Sequence, residues 1–243
     1  MKLSCIIITY NEEENIKDCL ESVKWANEII IVDSKSKDNT KEICREYTDR
    51  VIEKEWMGYG KQKEYARSLA THSWVLNIDA DERISADLKN EILSSTLDKD
   101  AYSIPRKFFF LGKHLKFGGC SDKPVRLFRK EMAKFSDDLI HERLVIDGKI
   151  GVLKNPIFHY SYKNISDYFE KFNIYSDLEV SKKDRLNIPF VFQIFISLLD
   201  FINRYIFKFG FLDGTQGFLW ASFSSFHRLV KYAKTWERSK FKS

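Results

Sequence analysis

The chain of 243 residues predicts an α/β protein built on a doubly wound, mostly parallel sheet. Three observations carry that expectation. Short continuous apolar runs, Leu3–Thr9 and Ile29-Ile30-Ile31-Val32, have the length and β-branched content of strands buried on both faces. Segments with helical spacing of apolar residues alternate with them. A further run, Trp74-Val75-Leu76-Asn77-Ile78, delivers two carboxylates, Asp79 and Asp81, at its end, which is where open α/β sheets bind ligands.

The elements follow in order. After the first strand, residues 12–23 carry Ile16, Leu20 and Val23 at helical spacing, with Asn11 as the expected cap and acids in the first turn. The run through Asp33 completes a βαβ unit. Asn39 or Thr40 starts a second helix through Tyr47, Val51-Ile52 gives a short third strand, and residues 61–70 form a third helix. Beyond the acidic pair, Ser85 or Asp87 caps a helix running toward Ser94. Residues 102–110, 125–128 and 157–160 read as strands of a less regular half, and from Ile165 the chain is mostly helical. One domain over residues 1–163, with halves at 1–85 and 86–163, is expected to precede an amphipathic helical tail over 164–243. Trp25, Trp56 and Trp74 are expected in the core, and Trp220, Phe223 and Phe226 along one packed face of the last helix.

The net charge of +5 is lodged in the tail. From Ile188 onward eight basic residues stand against three acidic ones, so the first 187 residues are neutral. Basic residues interleaved with Phe, Ile, Leu and Trp suit an anionic membrane surface, and nucleic acid is not an expected partner. Residues 190–212 are largely apolar, but Asp200, Asn203, Arg204 and Lys208 interrupt them at positions costly inside hydrocarbon. A helix in the interface or packed on the domain is therefore expected, not a span. The four cysteines have no paired C-x-x-C spacing and no stretch after Met1 reads as a signal peptide, which together predict reduced structural thiols in the cytoplasm.

Asp79-Ala80-Asp81 is suited to a divalent cation, since Mg²⁺ or Mn²⁺ takes one or two protein carboxylates and leaves other positions to phosphate and water. Three more polar segments gather where strands end: Thr9-Tyr10-Asn11-Glu12-Glu13, the stretch Asp33-Ser34-Lys35-Ser36-Lys37-Asp38-Asn39-Thr40, and Gly58-Tyr59-Gly60-Lys61-Gln62-Lys63. In order and spacing these four segments resemble the nucleotide-sugar half of the family-2 glycosyltransferases, which have the GT-A fold. A closer similarity is to the lipopolysaccharide-core-type glucosyltransferases. It rests on Ser22-Val23-Lys24-Trp25-Ala26, Asp79-Ala80-Asp81-Glu82, Arg126-Leu127-Phe128-Arg129, His141-Glu142 and Lys208-Phe209-Gly210-Phe211-Leu212-Asp213-Gly214. The chain departs from that pattern at Lys35, Lys37 and Glu64.

The resemblance implies an inverting, metal-dependent hexosyltransferase that moves glucose from a UDP-sugar to a hydroxyl of a lipid-linked saccharide, such as lipopolysaccharide core. It implies peripheral attachment at the inner face of the cytoplasmic membrane. Thr9, Tyr10, Asn11 and Glu12 would line the base, and Asp33 would accept from the uracil imide, since a carboxylate accepts and cannot donate. Taken as residues alone, Asp33 equally suits a turn, and Lys61 and Lys63 suit either a diphosphate or a solvated helix face. Asp79, with Ala80 between, would face the ribose and Asp81 the metal, with His159 as a further metal ligand. Taken as residues alone, Arg126 and Arg129 flank an apolar pair at strand period and suit anionic groups on donor or acceptor, Arg126 on the donor side, or equally a solvated strand face. For the acceptor's proton the choice is Glu142, which lies in the acceptor-side half past the irregular strands, with Asp138 as second candidate; Glu142 equally suits a surface acid paired with Arg143, and His141 suits orienting the acceptor, ligating metal or a hydrogen-bonded structural place. A sugar-nucleotide nucleotidyltransferase is the competing enzyme class, but the stretch after the first strand carries Glu12, Glu13 and Glu14 where a triphosphate wants a Gly-rich basic loop. A non-catalytic membrane-associated scaffold is the other alternative.

Overall fold

The computed structural model describes residues 2–136, 143–180 and 188–241. The chain divides into two compact units, Met1–Arg106 with Asp122–His159, and Lys107–Ser121 with Tyr160–Ser243. The first seven elements keep the expected alternation: β1 (Leu3–Thr9), α1 (Glu13–Val23), β2 (Glu28–Asp33), α2 (Thr40–Arg45), β3 (Val51–Glu53), α3 (Tyr59–Leu69) and β4 (Trp74–Asp79). Then come β5 (Glu82–Ile84), α4 (Ala86–Ser94), β6 (Ala101–Ser103), β7 (Arg106–Phe110), β8 (Lys113–His114) and β9 (Val125–Arg129). The hairpin β10 (Ala133–Phe135) and β11 (Leu144–Ile146) precedes β12 (Ile150–Val152) and β13 (Ile157–Tyr162). Three long helices close the chain: α5 (Ile165–Val180), α6 (Phe190–Ile202) and α7 (Gly214–Phe241).

In the first unit a seven-stranded sheet has the order β12-β6-β9-β4-β1-β2-β3. Strand β1 is parallel to both β2 and β4, β2 is parallel to β3, and β9 runs antiparallel to β4 and β6. The α/β fold class is as the sequence predicts. Alternate residues explain the double winding. Leu3, Cys5 and Ile7 pack against Ile16, Cys19, Leu20 and Val23 of α1 on one face. Ile6, Ile30 and Val32 meet Ala66 and Ala70 at the α3 side on the other. Each such Ile or Leu taken fully out of water contributes about 1.5–3 kcal/mol, and a strand buried on both faces must be apolar at every position.

Several local expectations are corrected. Asn11 does not cap α1: it sits in the left-handed region at φ 52°, and Glu12 occupies the cap position without a side-chain cap bond. Asn11 is instead the turn residue that brings the chain off β1, a conformation Asn tolerates better than most. Ser85 settles the start of α4, its Oγ accepting from the Leu88 N–H at 3.1 Å. The expected strand over 102–110 is two strands broken at Ile104-Pro105, since proline lacks the N–H a ladder needs. Strands β5, β8, β10, β11 and β12 are only two or three residues long, too short for any periodicity to announce them. Trp56 is 42% exposed, edge-on to the Tyr59 ring, and is not in the core.

The second unit has its own aromatic core. Phe108, Phe110 and Leu115 pack with Tyr168 and Phe172 of α5 and with Trp220 and Phe223 of α7. Phe226 lies stacked on Phe172, with ring centroids 6.0 Å apart. The β7–β8 segment therefore packs with the C-terminal helices, and residues 107–121 fall in the second unit. The physical reason is that Phe108 and Phe110 need an apolar partner, which this helical layer supplies.

Candidate active site

The carboxyl ends of four strands lie in line in the first unit. Thr9 is opposite Asp33, Ile8 is opposite Asp79, and Asp33 is opposite Glu53. The chain leaves β1 and β2 through left-handed residues, Asn11 at φ 52° and Lys35 at φ 64°. Lysine is an uncommon residue there, and strained backbone of this kind gathers at ligand sites.

The two loops that follow are laced together. The Asn11 N–H donates to Ser36 Oγ at 2.8 Å and Asn11 Oδ1 accepts from the Lys37 N–H at 2.8 Å. The Glu12 N–H donates to Thr40 Oγ1 at 2.8 Å, and Glu13 Oε2 accepts from the Asn39 N–H at 3.0 Å. Asp38 accepts from the Glu13 N–H and from Thr40, and although burial opposes it, those bonds hold its carboxyl below the usual range. Asp33 is wholly buried: Oδ1 accepts from the Ser36 N–H at 2.8 Å, and Oδ2 from Thr9 Oγ1 at 2.9 Å and Ser36 Oγ at 2.5 Å. The polar groups of Thr9, Asn11, Glu12 and Asp33 thus build a stiff wall, from which Tyr10, 53% exposed, stands toward solvent beside the exposed Asn11.

Asp79 ends β4, and Ala80 and Asp81 form the turn into β5. The two carboxylates are treated differently. Asp79 is paired with Lys63 of α3 at 2.9 Å and with Arg126 of β9 at 2.5 Å. Burial works against its charge, but these two cations hold its carboxyl well below the usual range. Arg126 also reaches the wholly buried Glu82 at 2.6 Å, and burial is again outweighed, so its guanidinium is held more firmly charged than usual. Glu82 accepts as well from the Asp79 N–H at 3.0 Å and from Arg106 at 3.2 Å, while Arg106 continues to Asp122 at 2.5 Å. The network runs Lys63, Asp79, Arg126, Glu82, Arg106, Asp122.

Asp81 faces elsewhere. Its Oδ2 is 3.3 Å from His159 Nε2, which the antiparallel pairing of β5 with β13 brings opposite Glu82. Burial opposes protonation of His159, but the Asp81 charge and the contact with it raise its pKa overall. Among the described residues no group of three or more His, Cys, Asp or Glu side chains converges on one point. Asp81 and His159 would therefore offer two donors to a metal. That fits a cation such as Mg²⁺ or Mn²⁺, which completes its shell with phosphate oxygens and water, and does not fit a closed structural metal site.

Of the residues singled out in the sequence, the structure brings together Thr9 with Asp33, Lys63 with Asp79, and Asp81 with His159. Lys61 stands apart, exposed on α3 while Lys63 is buried. Arg126 and Arg129 diverge: Arg126 is buried on Asp79 and Glu82, whereas Arg129 lies over the Trp74 ring at 4.9 Å. Glu142, Asp138 and His141 lie outside the described residues. Sequence reasoning missed the hub formed by Glu82, with Arg106 and Asp122. The signal available was Arg126 within an apolar strand, since a charge there requires a buried partner.

The sequence model of the family described as "Glycosyl transferase family 2" matches residues 4–132. An uncharacterised glycosyltransferase of Rickettsia typhi is 35% identical over 95% of this chain and 86% of that relative. The lipopolysaccharide core biosynthesis glycosyltransferase LpsC of Rhizobium meliloti is 27% identical over 100% of this chain and 95% of LpsC. Among solved structures, residues 1–349 of S. aureus TarS share the fold, with a TM-score of 0.50 at 16% identity, covering 100% of this chain and 92% of that one.

Proposed function

Since this chain belongs to glycosyl transferase family 2, we propose that it moves a hexose, glucose in the first instance, from a UDP-sugar to a hydroxyl of a lipid-linked saccharide with inversion at the anomeric carbon. The observation that carries the reading is Asp81 beside His159 at the end of β4, next to the β1 and β2 loops. The similarity to LpsC supports a lipopolysaccharide-core acceptor, and the TarS fold, which has also been solved in complex with UDP, is in keeping with a uridine donor.

Asp81 and His159 would hold Mg²⁺ or Mn²⁺, which when bound supplies a Lewis acid for the leaving diphosphate. The protein's own residues do the rest. Tyr10 offers an exposed ring to the base, backed by the wall of Thr9, Asn11 and Glu12. Asp33 would accept from the base imide once the Ser36 loop that covers it yields. Asp79, held charged by Arg126 and Lys63, would accept from the ribose, and Lys63 would turn from it toward phosphate. Ala80 keeps the turn between the two carboxylates small. Glu142, or Asp138 in its place, would take the proton of the attacking hydroxyl, and no covalent enzyme intermediate is needed. Such an enzyme would work on the cytoplasmic side of a membrane, where nucleotide sugars and lipid-linked acceptors meet.

The test is transfer by the purified protein from a panel of UDP-sugars to a lipid-linked core saccharide, read by mass spectrometry with Mn²⁺, with Mg²⁺ and after chelation. Asp81→Ala should abolish transfer while leaving the melting temperature near that of the parent. Undiminished turnover by that variant, or transfer indifferent to chelator, would sink the reading. Donor hydrolysis and transfer both absent under every condition would favour a scaffold.

A further inference from the structure

Helix α6 is inside out for a helix in water. Its buried residues are Gln193 and Ser197, whereas Val191, Phe192, Phe195 and Leu198 are each more than half exposed. A helix packed on a soluble domain turns the other way, apolar face inward. The exposed positions 191, 195 and 198 fall on one helical face, and exposed apolar residues continue past the helix through Ile206, Phe207, Phe209, Phe211 and Leu212. The polar side is the one in use. Asp200 pairs with Arg204 at 2.9 Å and with Arg228 of α7 at 3.6 Å, and the rings of Phe190 and Phe201 lie against Tyr232 and Phe218 of α7. Soluble monomers rarely leave so large an apolar patch uncovered.

Charge identifies what covers it. The second unit carries 16 basic residues against 8 acidic ones, while the first carries 24 against 27. A second copy of this face would meet the same positive charge, whereas an anionic surface complements it. We propose that the α6 face is a docking surface for an anionic lipid bilayer, with the helix lying in the plane of the membrane.

The packing of α7 decides between lying in the membrane and crossing it. Residues Phe190–Phe207 are long and apolar enough to cross by length and composition. Yet α7 follows α6 from Phe218 to Tyr232 and brings Arg228 and Lys231 with it. A spanning α6 would either strip away that partner or draw its charges into hydrocarbon. In the plane, the apolar face enters the acyl boundary while the Asp200, Arg204 and Arg228 cluster stays at headgroup level.

Flotation of the purified full-length protein tests this. Vesicles of phosphatidylcholine alone are compared with vesicles holding about 30% phosphatidylglycerol. Binding at least about tenfold stronger to the anionic vesicles is expected, weakening with salt. The triple variant Val191→Ser, Phe195→Ser, Leu198→Ser should lose about tenfold or more of that binding with an unchanged melting curve. Alkaline carbonate should release the bound protein. Equal binding by the triple variant, indifference to lipid charge, or resistance to carbonate overturns the proposal. So does a wild-type dimer that the triple variant dissolves and that ignores vesicles, since a second copy would then be the occupant. Flotation needs no donor and no turnover, so this surface and the transferase reading stand or fall separately.

Discussion

His159 and Asp81 come within 3.3 Å of each other because β13 runs antiparallel to β5 in a register that sets His159 opposite Glu82. The pair proposed to hold the metal is therefore assembled by a two-strand ladder of three residues a side, not by neighbouring residues of one loop. Under that proposal, replacing His159 by Ala removes one of the two protein donors. The Mn²⁺ concentration for half-maximal transfer should rise at least about tenfold, an effect of the size seen when ligand support is lost. A Mn²⁺ titration that overlays the wild type would remove His159 from the ligand set.

Glu82 is wholly buried between Arg126 and Arg106 and also accepts from the Asp79 N–H. Glu82→Leu takes the shared carboxylate from Arg126 and Arg106, leaving them Asp79 and Asp122 respectively, and breaking a buried pair in this way costs about 3–5 kcal/mol. Chemical denaturation should report that loss. The double variant Glu82→Leu, Arg126→Met should recover a large part of it, because an apolar pair of similar volume replaces a desolvated ionic one.

Glu64 ties α3 to β10 by accepting from Arg67 at 2.6 and 2.9 Å and from the Phe135 N–H at 3.0 Å. Burial opposes its charge, yet these donors lower its pKa from the ordinary 4.5. A depressed folded-state value means that the stabilisation is present above the unfolded value and disappears as pH falls through the folded one. Glu64→Gln should therefore lose about 1–2 kcal/mol at neutral pH. The gap to wild type should close below 4.5, measured by urea denaturation across the range.

Gly217, in the first turns of α7, has no room for a side chain: a Cβ there would meet the Gly210 carbonyl oxygen at 2.0 Å. Gly217→Ala should cost about 1–3 kcal/mol or more, since backbone and not a flexible side chain must move. Differential scanning calorimetry should show the drop. An unchanged transition would mean that the 210–213 turn does not rest on α7.

Glu142→Gln should retain donor binding while transfer falls by about 10² to 10⁴, the usual worth of a general base. If the fall appears in Asp138→Asn instead, the base is Asp138. A pH–rate profile unchanged in both variants would assign the proton to neither.

The parallel half of the fold was legible because each strand buries both faces, and only unbroken apolar runs such as Ile29-Ile30-Ile31-Val32 can do that. Asp79 and Asp81 were legible for the complementary reason, being charges at the end of such a run. The rest was hidden by length and distance. A three-residue strand like β5 has no period to detect, yet its register with β13 is what pairs His159 with Asp81. Arg126 is visible in the sequence as a charge, but its pairing with Asp79 and Glu82 joins residues 47 and 44 positions away, which no local pattern announces. Asn11 suits a helix cap by residue type, but the left-handed turn after β1 has the stronger claim on it.

The strand order has a further consequence for the chain as it is synthesised. All four strands of the parallel block, β3-β2-β1-β4, lie within residues 3–79, so every one of their pairings is available long before the antiparallel neighbour β9 at residues 125–129 has been made. Until then the outer edge of β4 is an unpaired row of backbone donors and acceptors on an apolar strand, open to any other extended chain. The nascent protein is most at risk of misassociation in that interval, and it is there that a chaperone would have the most to protect.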